Sequence, residues 1–344
     1  MKKVLNVAAT LSVTLAGVLF FSSPGFAQMN AGQPRCSSDR DCQSPGMRGF
    51  CQNPGQPSAG CVYQEAAKVK VTIIKPKECA VCSTDDVIKG LKTVFPGLEE
   101  ETIDLSDPRS QKLISDLKIE VLPAYVLSKN IEQDMNFQRF SQAVDLINGQ
   151  YYVKPSVAGA SYFLGRDKKP GKVDLFILLT QKEAMHALKI SKELIDSRKE
   201  KMSFQLHFIG VQDPETNAFS NPVGLREINE DKMYLCVEKN YPAKTWDYLF
   251  CRAPDVESPF WEDCMAKNEI DSAKIKECVK GEEANQLFKE KIKLAGELQM
   301  PFAPIFLLDN VEVFSATDKT SSSEINVILE AKSALSAQAK KSQP

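Results

Sequence analysis

The stretch V-K-V-T-I-I-K-P-K-E-C-A-V-C, residues Val69–Cys82, decides how this chain is read. Val69, Val71 and Ile73 alternate, with Ile74 beside them, and a β-branched run of that kind predicts a buried strand. Pro76 stops it. Cys79 and Cys82 follow with two residues between them, and then Ser83-Thr84-Asp85-Asp86, a cluster of helix-capping side chains. An amphipathic run carries Val87, Ile88, Leu91, Val94 and Phe95 on one face until Pro96-Gly97 ends it. A helix start brings partial positive charge and free N–H groups to a nearby sulfur, which favours the thiolate. Cys79 and Cys82 are therefore the candidate active site. Cys79 is expected to be exposed at the helix start, with Cys82 one turn further in and shielded beneath it.

Upstream, Met1-Lys2-Lys3, an apolar run to Phe21 and the small-residue exit Ser23–Ala27 predict a secretory signal peptide over residues 1–27. The rival reading, an uncleaved membrane anchor, meets an apolar run short for a span. No cysteine stands at the exit, so no lipid anchor is expected there, and no other stretch is long and apolar enough to cross a bilayer. The chain reads as exported, to a periplasm or the extracellular space. Its 43 Lys and Arg nearly balance 45 Asp and Glu, for a formal charge of −2. That balance offers no electrostatic reason to expect nucleic acid or anionic lipid as a partner.

All ten cysteines lie beyond the leader, and an even count in an exported chain favours disulfides. Cys36, Cys42, Cys51 and Cys61 sit in residues 28–65, a segment rich in Gly, Pro, Ser, Gln and Asn with few large aliphatics. It cannot bury enough apolar surface to fold unaided, so two disulfides of open pairing are expected to hold it. A four-cysteine zinc site competes, but its thiols would have to stay reduced in an oxidising compartment.

Residues 66–165 continue the opening stretch. Glu101–Ser106 reads as a second strand, and Asp107-Pro108 as cap and first turn of a helix through Lys118, with Leu113, Ile114 and Leu117 inward. Val121–Leu127 is an apolar strand with Pro123 at its entry. Phe137–Ile147 has helical spacing, Gly149–Val153 follows as a strand, and Gly165–Gly171 reads as a linker. C-x-x-C after a first strand, an α/β crossover, and a proline opening a later strand resemble the thioredoxin superfamily. The resemblance implies that Cys79 is the attacking thiol, Cys82 the resolving thiol, and Pro123 a cis-proline beside them. Leu122 and Pro123 would then bind an extended substrate strand. Two features depart from the pattern: Ala80-Val81 between the cysteines, and Ile73 where many members hold a buried carboxylate. Lys75 and Lys77 would favour the thiolate and Glu78 oppose it, which leaves the direction of electron flow open.

Residues 172–335 start over, with strands Val173–Leu179 and Ser203–Val211 around a helix Lys182–Arg198 that buries Ala187, Leu188, Leu194 and Ile195. A helical stretch from about 224 to 298 carries Cys236, Cys251, Cys264 and Cys278, expected to form two disulfides among themselves. Pro304 opens a strand to Leu308, a hairpin turns at Asp309-Asn310, and a final helix holds Ile325, Ile328 and Leu329. This order is similar to a thioredoxin fold with a helical insertion, as in DsbA-like proteins, with Ala303-Pro304 at the cis-proline position. Thr180-Gln181-Lys182-Glu183 stands where a C-x-x-C would, so this half has the frame without the nucleophile.

The expected architecture is α/β: two thioredoxin-like α/β/α domains in tandem, the second with an α-helical insertion, after a small disulfide-rich module. His186 and His207 read as structural or surface residues. Trp246, Trp261, Tyr241, Tyr248, Phe250 and Phe260 read as packing for the insertion, with a client-binding patch as the alternative. The function read from these features is exported thiol–disulfide oxidoreduction on protein clients, in an oxidising, reducing or isomerising direction. The Cys79–Cys82 disulfide is its only cofactor, with no metal, and a membrane or soluble redox partner resets it. The competing reading is a non-catalytic peptide-binding scaffold whose disulfides are all structural. Metal delivery through Cys79 and Cys82 lacks a nearby histidine or methionine ligand.

Overall fold

The structure, a computed structural model, describes residues 36–198, 202–300, 302–317 and 319–341. The leader expected at 1–27 lies outside them. The chain divides into two compact units. In the smaller, strand β1 (Met47–Gln52) pairs with β2 (Gly60–Glu65), and Cys36–Cys51 and Cys42–Cys61 are disulfides. Its buried centre is Cys36, Cys42 and Ala59, with Cys51 and Cys61 packed against them. Sulfur bridges stand where a larger module would bury aliphatics.

The larger unit runs from residue 65 onward, with residues 45–47. Strand β3 (Val69–Lys75) buries Val69, Val71 and Ile73 on one face and Ile74 on the other. Helix α1 (Asp85–Val94) crosses over the first face, where Ile88 and Leu91 meet Val71 and Ile73, and Phe95 just beyond the helix joins them. Strand β4 (Leu98–Asp104) then lies parallel to β3, from Val69 opposite Leu98 to Lys75 opposite Asp104. It begins earlier than the sequence suggests because it is an edge strand. Glu101 reaches Lys70 and Arg109, each at 2.7 Å, so the acidic run costs little there. Helix α2 (Pro108–Leu117) is capped by Asp107, whose carboxylate accepts the Arg109 N–H at 2.8 Å.

After a two-residue strand β5 (Val121–Leu122) comes β6 (Ala124–Leu127), antiparallel to β3. The helix expected over Phe137–Ile147 is only one turn, α3 (Phe137–Phe140). Val144–Ile147 is strand β7, paired with β8 (Gln150–Val153). Asn148 and Gly149, at φ 50° and 77°, make the tight turn that draws Val144–Ile147 into the hairpin. Helical spacing among the aromatics has its own cause: Phe137 and Phe140 edge against Tyr151 and Phe95 at 5.1 Å. The first sheet is ordered β4-β3-β6-β8-β7.

A short helix α4 (Pro155–Ala158) and strand β9 (Tyr162–Phe163) lead to β10 (Lys172–Ile177), α5 (Glu183–Arg198) and β11 (Ser203–Phe208). A small hairpin of β12 (Val211–Gln212) and β13 (Phe219–Ser220) precedes the helices α6 (Leu225–Asn240), α7 (Thr245–Arg252), α8 (Trp261–Lys267), α9 (Ser272–Lys280) and α10 (Glu282–Glu297). Disulfides Cys236–Cys278 and Cys251–Cys264 tie α6 to α9 and α7 to α8. Strands β14 (Ile305–Leu308) and β15 (Glu312–Ser315) and helix α11 (Ser322–Lys341) close the chain. Ala184, Ala187, Leu188 and Leu194 of α5 are buried, whereas Ile195 is only half-buried.

Strand β10 lies between parallel β11 and antiparallel β14, as β3 lies between β4 and β6. The same arrangement of a central strand between one parallel and one antiparallel neighbour thus occurs twice in this mixed α/β chain. The second sheet then continues beyond its own half. Its order is β11-β10-β14-β15-β9-β5, so its last strand is Val121–Leu122. Strands of two residues carry no alternation to read, and their membership is set by what lies beside them.

Candidate active site

Two adjacent antiparallel strands create the site. β3 runs toward Lys75 and the cysteines, while β6 starts at Ala124, directly after Pro123. Ile74 faces Ala124 and Ile73 faces Tyr125, so the cysteines and the proline fall at the same edge of the sheet. The Leu122-Pro123 peptide is cis, as is Ala303-Pro304 at the head of β14.

Cys79 and Cys82 are joined in a disulfide, and no cysteine of the chain is a free thiol. Cys79 is half-buried and Cys82 is 2% exposed. The cause of that difference is not the one expected. Helix α1 begins at Asp85, so both cysteines lie in the turn before it and share no helix face. The N–H of Cys79 instead bonds back to the Pro76 carbonyl at 3.3 Å. Thr84 occupies the N-cap position without a side-chain bond, and the helix field, which falls off within one turn, favours Cys82 over Cys79. Cys82 belongs to an apolar cluster with Ile74, Ile103, Leu117, Leu122, Ala124, Tyr162 and Val311, and Cys79 packs against it.

The Lys75 ammonium reaches the Cys82 carbonyl at 3.5 Å, and the Lys77 N–H bonds the Asp104 carboxylate at 2.6 Å. Hydrogen bonds from Ser106 hold Asp104 below the usual carboxylate range. Ile73 is 1% exposed and packs with Ile88 and Leu91 of α1, on the face of β3 opposite Ile74 and the Cys82 cluster. Beside Ile73, burial and then Asp85 push the Tyr125 phenol well up.

Leu122 and Pro123 are buried, Leu122 completely. The Leu122 carbonyl accepts the Ser161 N–H at 2.8 Å, and Val121 and Leu122 face Phe163 and Tyr162 across β5 and β9. The edge next to the cysteines therefore already carries a strand of the same chain.

The corresponding place in the second half is built differently. Thr180, just after β10, donates its N–H to Glu227 Oε2 at 2.8 Å, and the Leu179 N–H bonds Glu227 Oε1. Glu227 and Asp231 of α6 are completely buried. Burial, with Glu227 and Glu230 alongside, pushes Asp231 well above the usual carboxylate range. As a carboxylate Asp231 has no hydrogen-bond donor; as an acid it can donate to Glu227. Its surroundings are those of a protonated group. Sequence reading passed over both residues, although acids at i and i+4 on the inner face of a buried helix are unusual enough to mark them.

Of the histidines, His186 Nε2 lies 2.8 Å from the Thr320 carbonyl. His207 is buried, with Nε2 2.8 Å from Asp174, which also binds Lys172 at 2.8 Å. Burial alone would raise Asp174, but the bonds from His207 and Lys172 outweigh it and hold it low. The aromatics of the insertion are dispersed: Tyr248 is buried, Trp246 packs on Phe204 and Phe250, and Phe260 is exposed. In the small unit the sulfurs of Cys36, Cys42 and Cys61 lie within 4.8 Å of one another, yet each is spent in a disulfide rather than available as a thiolate ligand. Among the described residues no helix is long and apolar enough to cross a membrane.

No protein-family model matches the sequence, and no curated protein matches it either. Solved structures do. The thiol-disulfide exchange protein alpha-DsbA2 from Wolbachia pipientis matches 48% of this chain and 87% of its own, at 14% identity and a TM-score of 0.36. Oxidoreductase DsbA from Xylella fastidiosa matches 54% and 97%, at 11% identity and a TM-score of 0.39. The oxidoreductase NmDsbA1 from N. meningitidis also matches 54% and 97%, at 13% and 0.38. The chain is thus similar, over about half its length, to DsbA-like oxidoreductases of thioredoxin fold.

Proposed function

We propose that this chain is an exported thiol–disulfide oxidoreductase acting on protein clients through Cys79 and Cys82. One observation carries the reading. Two bridged cysteines three residues apart, one half-exposed and one buried, stand at the sheet edge that Pro123 also occupies. Exposure selects Cys79 for attack, and burial in an apolar cluster keeps Cys82 away from clients, so that it acts second.

In the reducing direction the Cys79 thiolate attacks one sulfur of a client disulfide, forming a mixed disulfide and releasing one client thiolate. The Cys82 thiolate then attacks the Cys79 sulfur, releases the second client thiolate and closes Cys79–Cys82. Two electrons pass from the dithiol to the client. The oxidising direction is the reverse, starting from a client thiolate, and a redox partner resets the pair in either case. Leu122 and Pro123 position the client. The region 172–335, which has Thr180 where a cysteine would stand, holds or orients clients without exchange of its own. Export follows from the leader sequence, and the four other disulfides suit an oxidising compartment.

Graded reduction of the folded protein tests this reading. Cys79–Cys82 opens first, as mapped by differential alkylation and mass spectrometry, while the other four bridges persist. If all five resist together, the pair is structural and the protein is a scaffold.

A further inference from the structure

Strand β9 is held from both sides. On one side Ser161 N–H bonds the Leu122 carbonyl at 2.8 Å and Leu164 N–H bonds the Glu120 carbonyl at 2.8 Å. On the other, Phe163 N–H bonds the Val311 carbonyl at 2.8 Å, and Val313 N–H bonds the Ser161 carbonyl at 3.0 Å. Arg166 adds bonds of 2.9 and 2.7 Å to the carbonyl and side chain of Asn310, at the turn of the β14–β15 hairpin. Tyr162 is 8% exposed, and with Val311 it enters the cluster that contains Cys82 and borders Cys79.

An edge strand offers one row of backbone donors and acceptors, and an extended segment binds it by completing that row. Only one segment can do so at a time. Any extended client reaching Cys79 along β5 meets an edge already completed by residues 161–164. We propose that Ser161–Leu164 is a built-in strap that occupies the client-strand position, and that peptide clients gain Cys79 only by displacing it from β5. The proposal rests on the assignment of Cys79 as the exchanging thiol. It makes residues 161–164 the determinants of which disulfides are served: small ones that need no strand pairing, and extended ones able to compete for Leu122.

The geometry also says where the strap opens. Gly159 and Gly165 flank it at φ 77° and 71°, each with open space where a Cβ would go, so the chain can swivel at both ends. Arg166 reinforces the hairpin side, which leaves the contact with β5 as the one that parts.

The test uses the full chain, as wild type and with Ser161→Pro, which deletes the N–H bonded to Leu122. Each reduced protein is offered two nitrothiobenzoate disulfides, one small and symmetric, the other on the central cysteine of an extended ten-residue peptide. Cys79 thiolate forms a mixed disulfide with either and releases coloured thiolate, so atoms and electrons balance in both. Relative to wild type, the peptide rate should rise at least fivefold while the small-disulfide rate stays within about twofold. An unchanged or lower ratio of the two rates overturns the strap.

Binding without chemistry separates this from the redox reading. A serine version of the peptide, followed by fluorescence anisotropy against Cys79→Ser/Cys82→Ser protein, should bind at least fivefold tighter once Ser161→Pro is added. Equal affinity overturns the strap whatever Cys79 does. Inert cysteines with tighter binding would instead sink the oxidoreductase reading and keep the strap. Hydrogen exchange on the protein with native Ser161 covers the case of a variant that does not fold. Saturating peptide should strip protection from the Ser161 and Leu164 amides, and retained protection in the complex overturns the proposal.

Discussion

Ile74 and Ala124 face each other across β3 and β6, and this one pairing puts Cys79 and Pro123 at a common edge. The strands run oppositely, so the outgoing end of the first meets the incoming end of the second. Cys79 is the half-buried sulfur there, and under the proposed function it is the one that meets a client. Cys82→Ala protein should accumulate mixed disulfides with clients, recoverable by mass spectrometry, and Cys79→Ala should trap few. More trapping by Cys79→Ala reverses the assignment of nucleophile.

Thr180 leads to a second prediction. Its N–H is committed to Glu227, and the turn it occupies holds no sulfur. The full chain carrying Cys79→Ala and Cys82→Ala should show no disulfide turnover with insulin, since the other eight cysteines are bridged. Residual turnover above a few per cent of wild type would assign exchange to one of those bridges.

Asp231 sets a pH dependence whose sign is fixed by the direction of its shift. Burial holds its folded-state pKa well above the usual carboxylate range. The stability it contributes is fully present below that range and is lost as pH rises toward the folded pKa, at about 1.4 kcal/mol per pH unit. Asp231→Asn should therefore gain on wild type steadily as pH rises from about 4, measured by denaturant unfolding with disulfides intact. A gap that stays constant with pH would mean that Asp231 is not held as an acid.

Lys332 joins Asp309 at 3.1 Å and Glu312 at 2.8 Å, all nearly buried. Burial raises Glu312 despite this partner. Lys332→Ala leaves buried carboxylates uncompensated and should cost about 3–5 kcal/mol near pH 8. The loss should shrink on acidification, as the carboxylates take up protons. Unfolding curves at pH 5 and pH 8 decide it.

The two bridges of the helical insertion differ in the loop they close. Cys236–Cys278 spans 42 residues of sequence and Cys251–Cys264 spans 13. Chain entropy alone predicts losses of about 4 and about 3 kcal/mol on paired Cys→Ala replacement. Thermal unfolding of the two double variants should rank them in that order.

Much of the frame was legible because it is local. Val69, Val71 and Ile73 alternate, and Asp107 and Pro108 announce a helix; each follows from contacts within a few residues. By contrast, the Asn148-Gly149 turn that makes Val144–Ile147 a strand was overridden by the helical spacing of Phe137 and Phe140. The cysteines also sort themselves, since each bridge closes within its own stretch. The helix start at Asp85 was less legible, because several capping side chains stand at Ser83–Asp86 and the turn at Pro76 draws Cys79 away from the helix.

Sequence by itself determined where the long strands β3 and β10 and the helices α2 and α5 fall, and which residues could do thiol chemistry. Only the tertiary structure decided that Val121–Leu122 and Tyr162–Phe163 close the second sheet, that Leu122 is fully buried, and that Glu227 binds the turn where a second dithiol would stand. The physical reason is range. Periodicity and capping record what a residue does with its near neighbours. The pairing of β9 with β5 and β15 is settled by backbone groups some 40 and 150 residues apart, which leave no pattern in either segment.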